Sequence, residues 1–213
     1  MVNVGEVMTA LARGRPVFHS EADFQHAFAW ELHCRLPDAS VRLELPLRFP
    51  DRKLHLDIYA TLGQTILAVE LKYKARPLHL EVNGEAFHLT SQAAQDLGRY
   101  DFIKDIHRLE QVTDGALSAI GYAILLTNDP SYWKLPTRHG PVDEAFRLGE
   151  GRVLTGALTW GAGASEGTTK GREAPLALRG RYRLQWADYS CPTQAKYGKF
   201  RYLAVRVGDG PTC

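Results

Sequence analysis

The segment LHLDIYATLGQTILAVELKYK, residues 54–74, predicts two antiparallel strands that carry charged side chains among apolar ones. Successive residues of a strand point to opposite faces. Alternation therefore places Leu54, Leu56 and Ile58 on one face of the first strand and Asp57 on the other. An aspartate inside a strand that reads as buried is unusual, because an unpaired charge is costly to remove from water.

The second half of this segment places an acid and a base on one face of the second strand. Alternation assigns Glu70 and Lys72 to the same face. Gly63 supplies the positive φ that a short hairpin turn usually requires, and a turn there brings Asp57 level with residues 68–70. We therefore expect two carboxylates and an ammonium to converge on one patch of the hairpin.

The overall composition is that of an ordinary globular chain and excludes several classes of protein. The 213 residues are 45% hydrophobic and 23% charged, with a formal net charge of +2, which leaves nucleic-acid binding undecided. No apolar run approaches the ~18 residues that span a bilayer, and the amino-terminal residues do not form a secretory signal, so we expect a cytoplasmic protein without membrane contact. Three cysteines and eight histidines without ligand spacing predict neither a disulfide framework nor a zinc cage.

The residues on both sides of the hairpin predict a mixed sheet flanked by helices. Ser20 is the predicted cap of a helix that Pro37 closes, and Glu31 lies at the centre of the apolar stripe of that helix. Ser91 is the predicted cap of a second helix. Residues 121–129 form a continuous apolar run, typical of a strand buried on both faces. The resulting order, helix, three strands, helix, strand, predicts the α/β class.

The carboxyl-terminal third has a different pattern from the rest of the chain. Short alternating segments are separated by a stretch rich in glycine, serine and threonine. We therefore divide the chain into a core over residues 1–140 and a β-rich extension over residues 141–213. The extension is predicted to be antiparallel and packed on the core, without being an assured independent domain.

The spacing of Asp57 and the sequence Glu70-x-Lys72 resembles the PD-(D/E)XK superfamily, the restriction-endonuclease-like nucleases. Residues 69–74, VELKYK, are typical of the third core strand of that family, and the predicted order of elements matches its core. The resemblance covers roughly residues 20–129. One departure is that Leu56 occupies the position of the family's proline. The resemblance implies a restriction-endonuclease-like fold, with a mixed central sheet flanked by helices.

The resemblance also implies an activity, namely the metal-dependent hydrolysis of phosphodiester bonds, in DNA rather than RNA. Asp57 and Glu70 would bind Mg²⁺, with Mn²⁺ as a substitute, while Lys72 would orient the attacking water and stabilise the transition state. An acidic residue of the preceding helix often joins the site in this family. We favour Glu31 as this third metal ligand, with Glu21 as the alternative. The sequence leaves a homodimer open.

Further polar and basic residues are candidates for contacts with nucleic acid. They are Gln95 and Arg99 on the second helix, Lys74 beyond the hairpin motif, and Arg181 and Arg183 in the extension, where Lys196, Lys199 and Arg201 form another basic group. Cations on one face are what binding to a phosphate backbone requires. For Gln95 and Arg99 the alternative is a hydrogen-bond network between helix and sheet.

Two other functions stay open at this point. The first is an inactive scaffold of the same fold that binds nucleic acid or a partner protein. The second is a small-molecule-binding or interaction domain in which Asp57, Glu70 and Lys72 form a cross-strand ion pair, a contact that contributes about 0.2–1 kcal/mol. For Glu31 the alternative is a pair with Arg35 or exposure to solvent.

Overall fold

The structure is a computed structural model that describes residues 3–49, 52–114, 118–135 and 140–208, without the side chains of residues 48, 49 and 52–54. The predicted orientation of Leu54 therefore lies outside the described residues, as does Cys213. Cys34 and Cys191 are free and exposed.

The described residues form four helices and ten strands. The helices are α1 (Val4–Gly14), α2 (Glu21–Arg35), α3 (Gln95–Thr113) and α4 (Glu166–Thr169), with a single 3-10 turn at Glu144–Phe146. The strands are β1 (Ser40–Phe49), β2 (Arg52–Leu62), β3 (Thr65–Lys74), β4 (Leu78–Val82), β5 (Glu85–Leu89), β6 (Ala119–Thr127), β7 (Val153–Leu158), β8 (Leu176–Arg183), β9 (Trp186–Ser190) and β10 (Phe200–Val207).

Helix capping follows the sequence at α2 and departs from it at α3. The Asp23 N–H donates to the Ser20 side chain, as predicted. The predicted cap at Ser91 is wrong, because α3 begins four residues later, after Ala94 in the left-handed conformation with φ +64°. The intervening residues are held to the end of β3 instead, since the Gln92 N–H donates to the carbonyl of Ala75.

The central sheet has six strands in the order β1-β2-β3-β6-β10-β9. Strands β1, β2 and β3 form an antiparallel meander, α3 connects β3 to the parallel strand β6, and β10 and β9 continue the sheet in antiparallel pairing. The predicted mixed α/β sheet with flanking helices is therefore confirmed. Two strands of the carboxyl-terminal third belong to this sheet, whereas β7 and β8 form a separate antiparallel pair, as do β4 and β5.

Two apolar cores cover the two faces of the sheet. Helices α1 and α2 and the β4–β5 hairpin bury their apolar side chains on one face. Helix α3 and the β7–β8 pair do so on the other face. No helix among the described residues is long and apolar enough to cross a bilayer.

The β2–β3 hairpin has the predicted register, with an interruption at Asp57. Leu62 pairs with Thr65 across a two-residue turn in which Gly63 has φ +58°, and the pairing ends at Ile58. The prediction that Leu56 shares a face with Ile58 is wrong, because Leu56 belongs to the core beneath α3 and Ile58 to the core beneath α1 and α2. The alternation of β2 is therefore broken at the residue between them.

Candidate functional site

The residues of β2 that precede Ile58 do not pair with β3. Acidic side chains there accept hydrogen bonds from β3 N–H groups, as the backbone carbonyls of a paired strand would. The Leu71 N–H donates to Asp57 Oδ2 at 2.6 Å. The Tyr73 N–H donates to Oε2 of Glu21, at the start of α2, at 2.8 Å. Two carboxylates from different elements therefore line the same edge of β3.

The interruption of β2 is held in place by a side chain from α2. Gln25, which is buried, donates from Nε2 to the Asp57 carbonyl and to Glu44 Oε1, both at 2.8 Å. Glu44 on β1 has φ +51°, a conformation that is uncommon outside glycine. The backbone around Asp57 is thus held by Gln25 of α2, and Gln25 is itself bonded to Glu44 of β1.

Lys72 lies against an aspartate that the sequence motif did not include. Its Nζ forms an ion pair with Asp105 Oδ2 on α3 at 2.9 Å and donates to the Leu71 carbonyl at 3.1 Å. Arg108 Nη1 contacts the other oxygen of Asp105 at 3.2 Å. Because Asp105 is fully buried, these two cations are what compensates its charge.

Glu70 is the exceptional member of this group. The residue is 3% exposed, and among the described residues its carboxyl group has no hydrogen-bond or ion-pair partner. Burial, followed by repulsion from Asp105 and Asp57, raises the pKa of Glu70 to about 9. Its carboxyl is therefore protonated at neutral pH in the metal-free protein.

Asp57 and Lys72, the charged neighbours of Glu70, also have shifted pKa values. Burial raises the pKa of Asp57 to about 6, although the charge of Lys72 opposes this shift. Burial lowers the pKa of Lys72, but the charges of Asp105, Glu21 and Asp57 outweigh it and the net shift is upward. Four carboxyl groups thus meet one ammonium and the Arg108 guanidinium, and the excess of acid is what an added cation would neutralise.

The structure places Glu31 away from this patch, which corrects the expectation that it points toward Asp57. Arg35 Nε donates to Glu31 Oε1 at 2.7 Å, the helix pair that the sequence offered as the alternative. The charge of Glu21 acts on Asp57 and on Lys72, whereas that of Glu31 is not among the charges that shift their pKa values. The acidic residue that α2 brings to the patch is therefore Glu21.

Gln95 and Arg99 form structural hydrogen bonds, but their partners lie in the segments that follow β6 and not in the sheet itself. Gln95 Nε2 donates to Asp129 Oδ2 at 3.0 Å, just after β6. Arg99 is buried, with Nη1 2.6 Å from Asp143 Oδ2 and Nη2 donating to the Ser131 carbonyl. These contacts favour the structural alternative for both residues.

The remaining basic candidates divide into exposed and paired side chains. Arg181 and Arg183 are exposed on β8, which packs against α3. Lys74 is half-buried at the end of β3. Two members of the other basic group are paired with acids, Lys199 with Asp188 and Arg201 with Asp188 and Glu150, and Lys196 packs over the ring of Tyr197.

Asp105 and Gln25 are the two site residues that sequence reasoning missed. A signal for Asp105 was available, because it lies one turn from Phe102 and Leu109 on the apolar stripe of α3, where a charged residue needs a partner. Gln25 follows Phe24 in α2, and the sequence gives no comparable signal that its side chain is buried. Only its buried contacts reveal its role.

The described part of the chain holds no group of three or more histidine, cysteine, aspartate or glutamate side chains arranged as a ready metal cage. Comparisons with protein-family models, with curated proteins and with solved structures found no match for this chain.

Proposed function

We propose that this protein is a metal-dependent phosphodiesterase that cleaves nucleic acid, with the patch around Glu70 as its active site. The observation that carries the proposal is the buried Glu70 carboxyl, which has no partner among the described residues and lies in the electric field of Asp57 and Asp105. A strongly perturbed acid beside a charged lysine is typical of a catalytic site.

The topology supports a restriction-endonuclease-like fold. The chain runs through α2, the meander β1–β2–β3, helix α3 and the parallel strand β6, which is the order of elements that the resemblance implied. The β4–β5 hairpin is inserted between β3 and α3. The proposed motif lies on the two central elements of this arrangement, β2 and β3.

The donor atoms of the patch fit Mg²⁺ or Mn²⁺. These cations prefer oxygen ligands, and Mg²⁺ usually keeps several waters, so Asp57 and Glu70 can hold it without a complete protein cage. Glu21 is a further carboxylate on the same edge of β3. A metal bound there would lower the pKa of a bound water and neutralise charge on the scissile phosphate.

The chain's own residues have separate tasks in this proposal. Asp57 and Glu70 would hold the cation through carboxylate oxygens, and Glu70 would have to give up its proton to do so. Lys72, held beside them by Asp105 at 2.9 Å, donates from Nζ to the attacking water or to a phosphate oxygen in the transition state. Gln25 keeps Asp57 in position through the Asp57 carbonyl.

The assignment of DNA as the substrate rests on the family resemblance. Cations on the α3 side of the sheet are compatible with it, since alternation places Lys74 on the Lys72 face of β3 and β8 presents Arg181 and Arg183 to solvent beside α3. RNA has the same phosphodiester linkage. Comparing DNA with RNA substrates in the cleavage assay distinguishes the two.

A non-catalytic scaffold is the second candidate, and one observation favours it. Asp57, Glu21 and Lys72 already have partners within the protein, in the N–H groups of β3 and in Asp105. In that role the carboxylates would serve only to cap the free edge of β3. A scaffold of this kind would bind nucleic acid or protein without cleaving it.

The test of the proposed function is cleavage by the purified chain. We expect Mg²⁺ or Mn²⁺ to support hydrolysis of single-stranded, double-stranded or branched DNA, and EDTA to stop it. Asp57→Asn keeps an oxygen for the Leu71 N–H but removes a charged ligand, so its rate should fall at least about 100-fold. The exposed Asp38→Asn is the matched control and should retain full activity. Equal activity of both variants would show that the cleavage arises elsewhere.

A second comparison separates the two acids of α2. Glu21→Gln keeps an acceptor for the Tyr73 N–H but loses its charge, so we expect cleavage to fall about 10- to 100-fold while folding is retained. Glu31→Gln should change the rate less than about twofold, because its carboxylate contacts Arg35 and not the patch. Initial rates at saturating Mg²⁺ measure both effects, and the reverse ranking would return the role to Glu31.

A further inference from the structure

The β4–β5 hairpin, which is closed by a two-residue turn at Asn83 and Gly84, brings together two histidines. His79 and His88 are nine residues apart and occupy directly opposite positions in the antiparallel register. Both are exposed. The opposite face of the hairpin is buried in the core through Leu78, Phe87 and Leu89, so the backbone that carries the two rings is held in place before any ligand arrives.

The geometry of the two rings is close to that of a metal chelate. The Nδ1 atoms are 3.1 Å apart, and the ring planes are inclined by 73°. Zinc binds imidazole nitrogen at about 2.0–2.1 Å in tetrahedral geometry, which places two ligand nitrogens about 3.3 Å apart. The observed separation therefore needs only a small ring rotation to receive one ion.

We propose that His79 and His88 bind one transition-metal ion, Zn²⁺ in the first instance, through their Nδ1 atoms. No third side chain of the described residues completes a cage, so water fills the remaining positions. The proposal is independent of the proposed nuclease function, because the hairpin and the Asp57 patch use different donors.

The chemistry of binding needs no additional reactant. In the neutral pair one ring donates its Nδ1 proton to the other Nδ1. When the metal binds, that proton moves to Nε2 of the same ring, through solvent, and both Nδ1 lone pairs face the ion. Imidazole suits Zn²⁺, Cu²⁺ and Ni²⁺, whereas Mg²⁺ prefers oxygen.

Isothermal titration of the full chain with Zn²⁺ tests the site. We expect one ion bound per chain at this hairpin, and at least about tenfold weaker binding in His79→Ala and in His88→Ala, because each variant loses the chelate. His33→Ala removes an exposed histidine of α2 and should bind as the wild type does. Excess Mg²⁺ should not compete.

Zn²⁺ titration of a Glu70→Gln variant distinguishes the histidine site from the acidic patch. Glu70→Gln should retain the histidine-dependent Zn²⁺ binding even if it loses every Mg²⁺-dependent property. Electron paramagnetic resonance of the Cu²⁺ complex should show coupling to imidazole nitrogen in the wild type and a changed coupling in His88→Ala. Zn²⁺ affinity that is the same in the wild type and in both histidine variants would overturn the proposal.

Discussion

Glu70→Gln is expected to abolish cleavage and, at the same time, to stabilise the metal-free protein. The loss of activity, at least about 100-fold, follows from removing a charged metal ligand. The gain in stability follows because glutamine is neutral at every pH, whereas the buried Glu70 carboxyl must be kept protonated next to Asp57 and Asp105.

The stabilisation by Glu70→Gln should depend on pH in a defined direction. Folding raises the pKa of Glu70 from 4.5 to about 9, so the folded state keeps a proton that the unfolded state loses as pH rises above 4.5. The stabilising contribution of the protonated carboxyl is complete below pH 4.5 and is lost progressively up to pH 9. The free energy of unfolding of the wild type should therefore fall, relative to the variant, by at least about 2 kcal/mol across this range.

Urea denaturation in EDTA at pH 5, 7 and 9 measures this difference. Glu81→Gln, at an exposed position of β4, is the control and should follow the wild type at each pH. If the wild-type and Glu70→Gln free energies of unfolding change in parallel with pH, then the Glu70 carboxyl is not the buried, protonated group described above.

Lys72→Ala is expected to remove cleavage and to destabilise the fold, for two separable reasons. Cleavage is lost because Lys72 is the donor to the water or the phosphate in the proposed mechanism. The fold loses about 3 kcal/mol because Asp105 remains buried with only Arg108 as a cationic partner. Mg²⁺ binding should stay nearly intact, since the ammonium is not a ligand.

The double variant Lys72→Ala/Asp105→Asn separates the two effects. Neutralising Asp105 removes the uncompensated charge, so most of the lost stability should return while cleavage stays absent. Thermal denaturation, Mg²⁺ calorimetry and the cleavage assay are compared with Lys170→Ala, an exposed lysine. Recovery of cleavage in the double variant would mean that Lys72 acts only by holding Asp105, and loss of Mg²⁺ affinity in Lys72→Ala would contradict the division of roles.

Local features of the fold could be predicted from the sequence because they depend on neighbours along the chain. The cap at Ser20, the turn at Gly63 and the buried strand β6 were predicted from residue type and spacing, and the structure contains each of them. The register of the hairpin followed from its turn, which is why Asp57 could be placed level with the residues around Glu70. Local rules failed at Ala94 and Leu56, where contacts with other segments of the chain override them.

Tertiary structure alone decided which side chains meet at the patch. An apolar stripe indicates which face of α2 turns inward, but not where along the helix the patch lies. Glu21 and Glu31 are ten residues apart, about 15 Å along a helix, so only one of them can reach Asp57 in the middle of β2. The pairing of Lys72 with Asp105 likewise depends on how α3 crosses the sheet.

The histidine pair shows the same division most clearly. The sequence determined that the chain forms a hairpin-bearing mixed sheet, because alternation and turn residues act within a few positions. The turn at Asn83 and Gly84 likewise sets His79 opposite His88, since it joins β4 to β5 with only two residues. Only the 3.1 Å separation of the two Nδ1 atoms depends on how the side chains are arranged in the folded protein. Contacts between side chains on different elements have no period in the sequence, and the packing of those elements determines them.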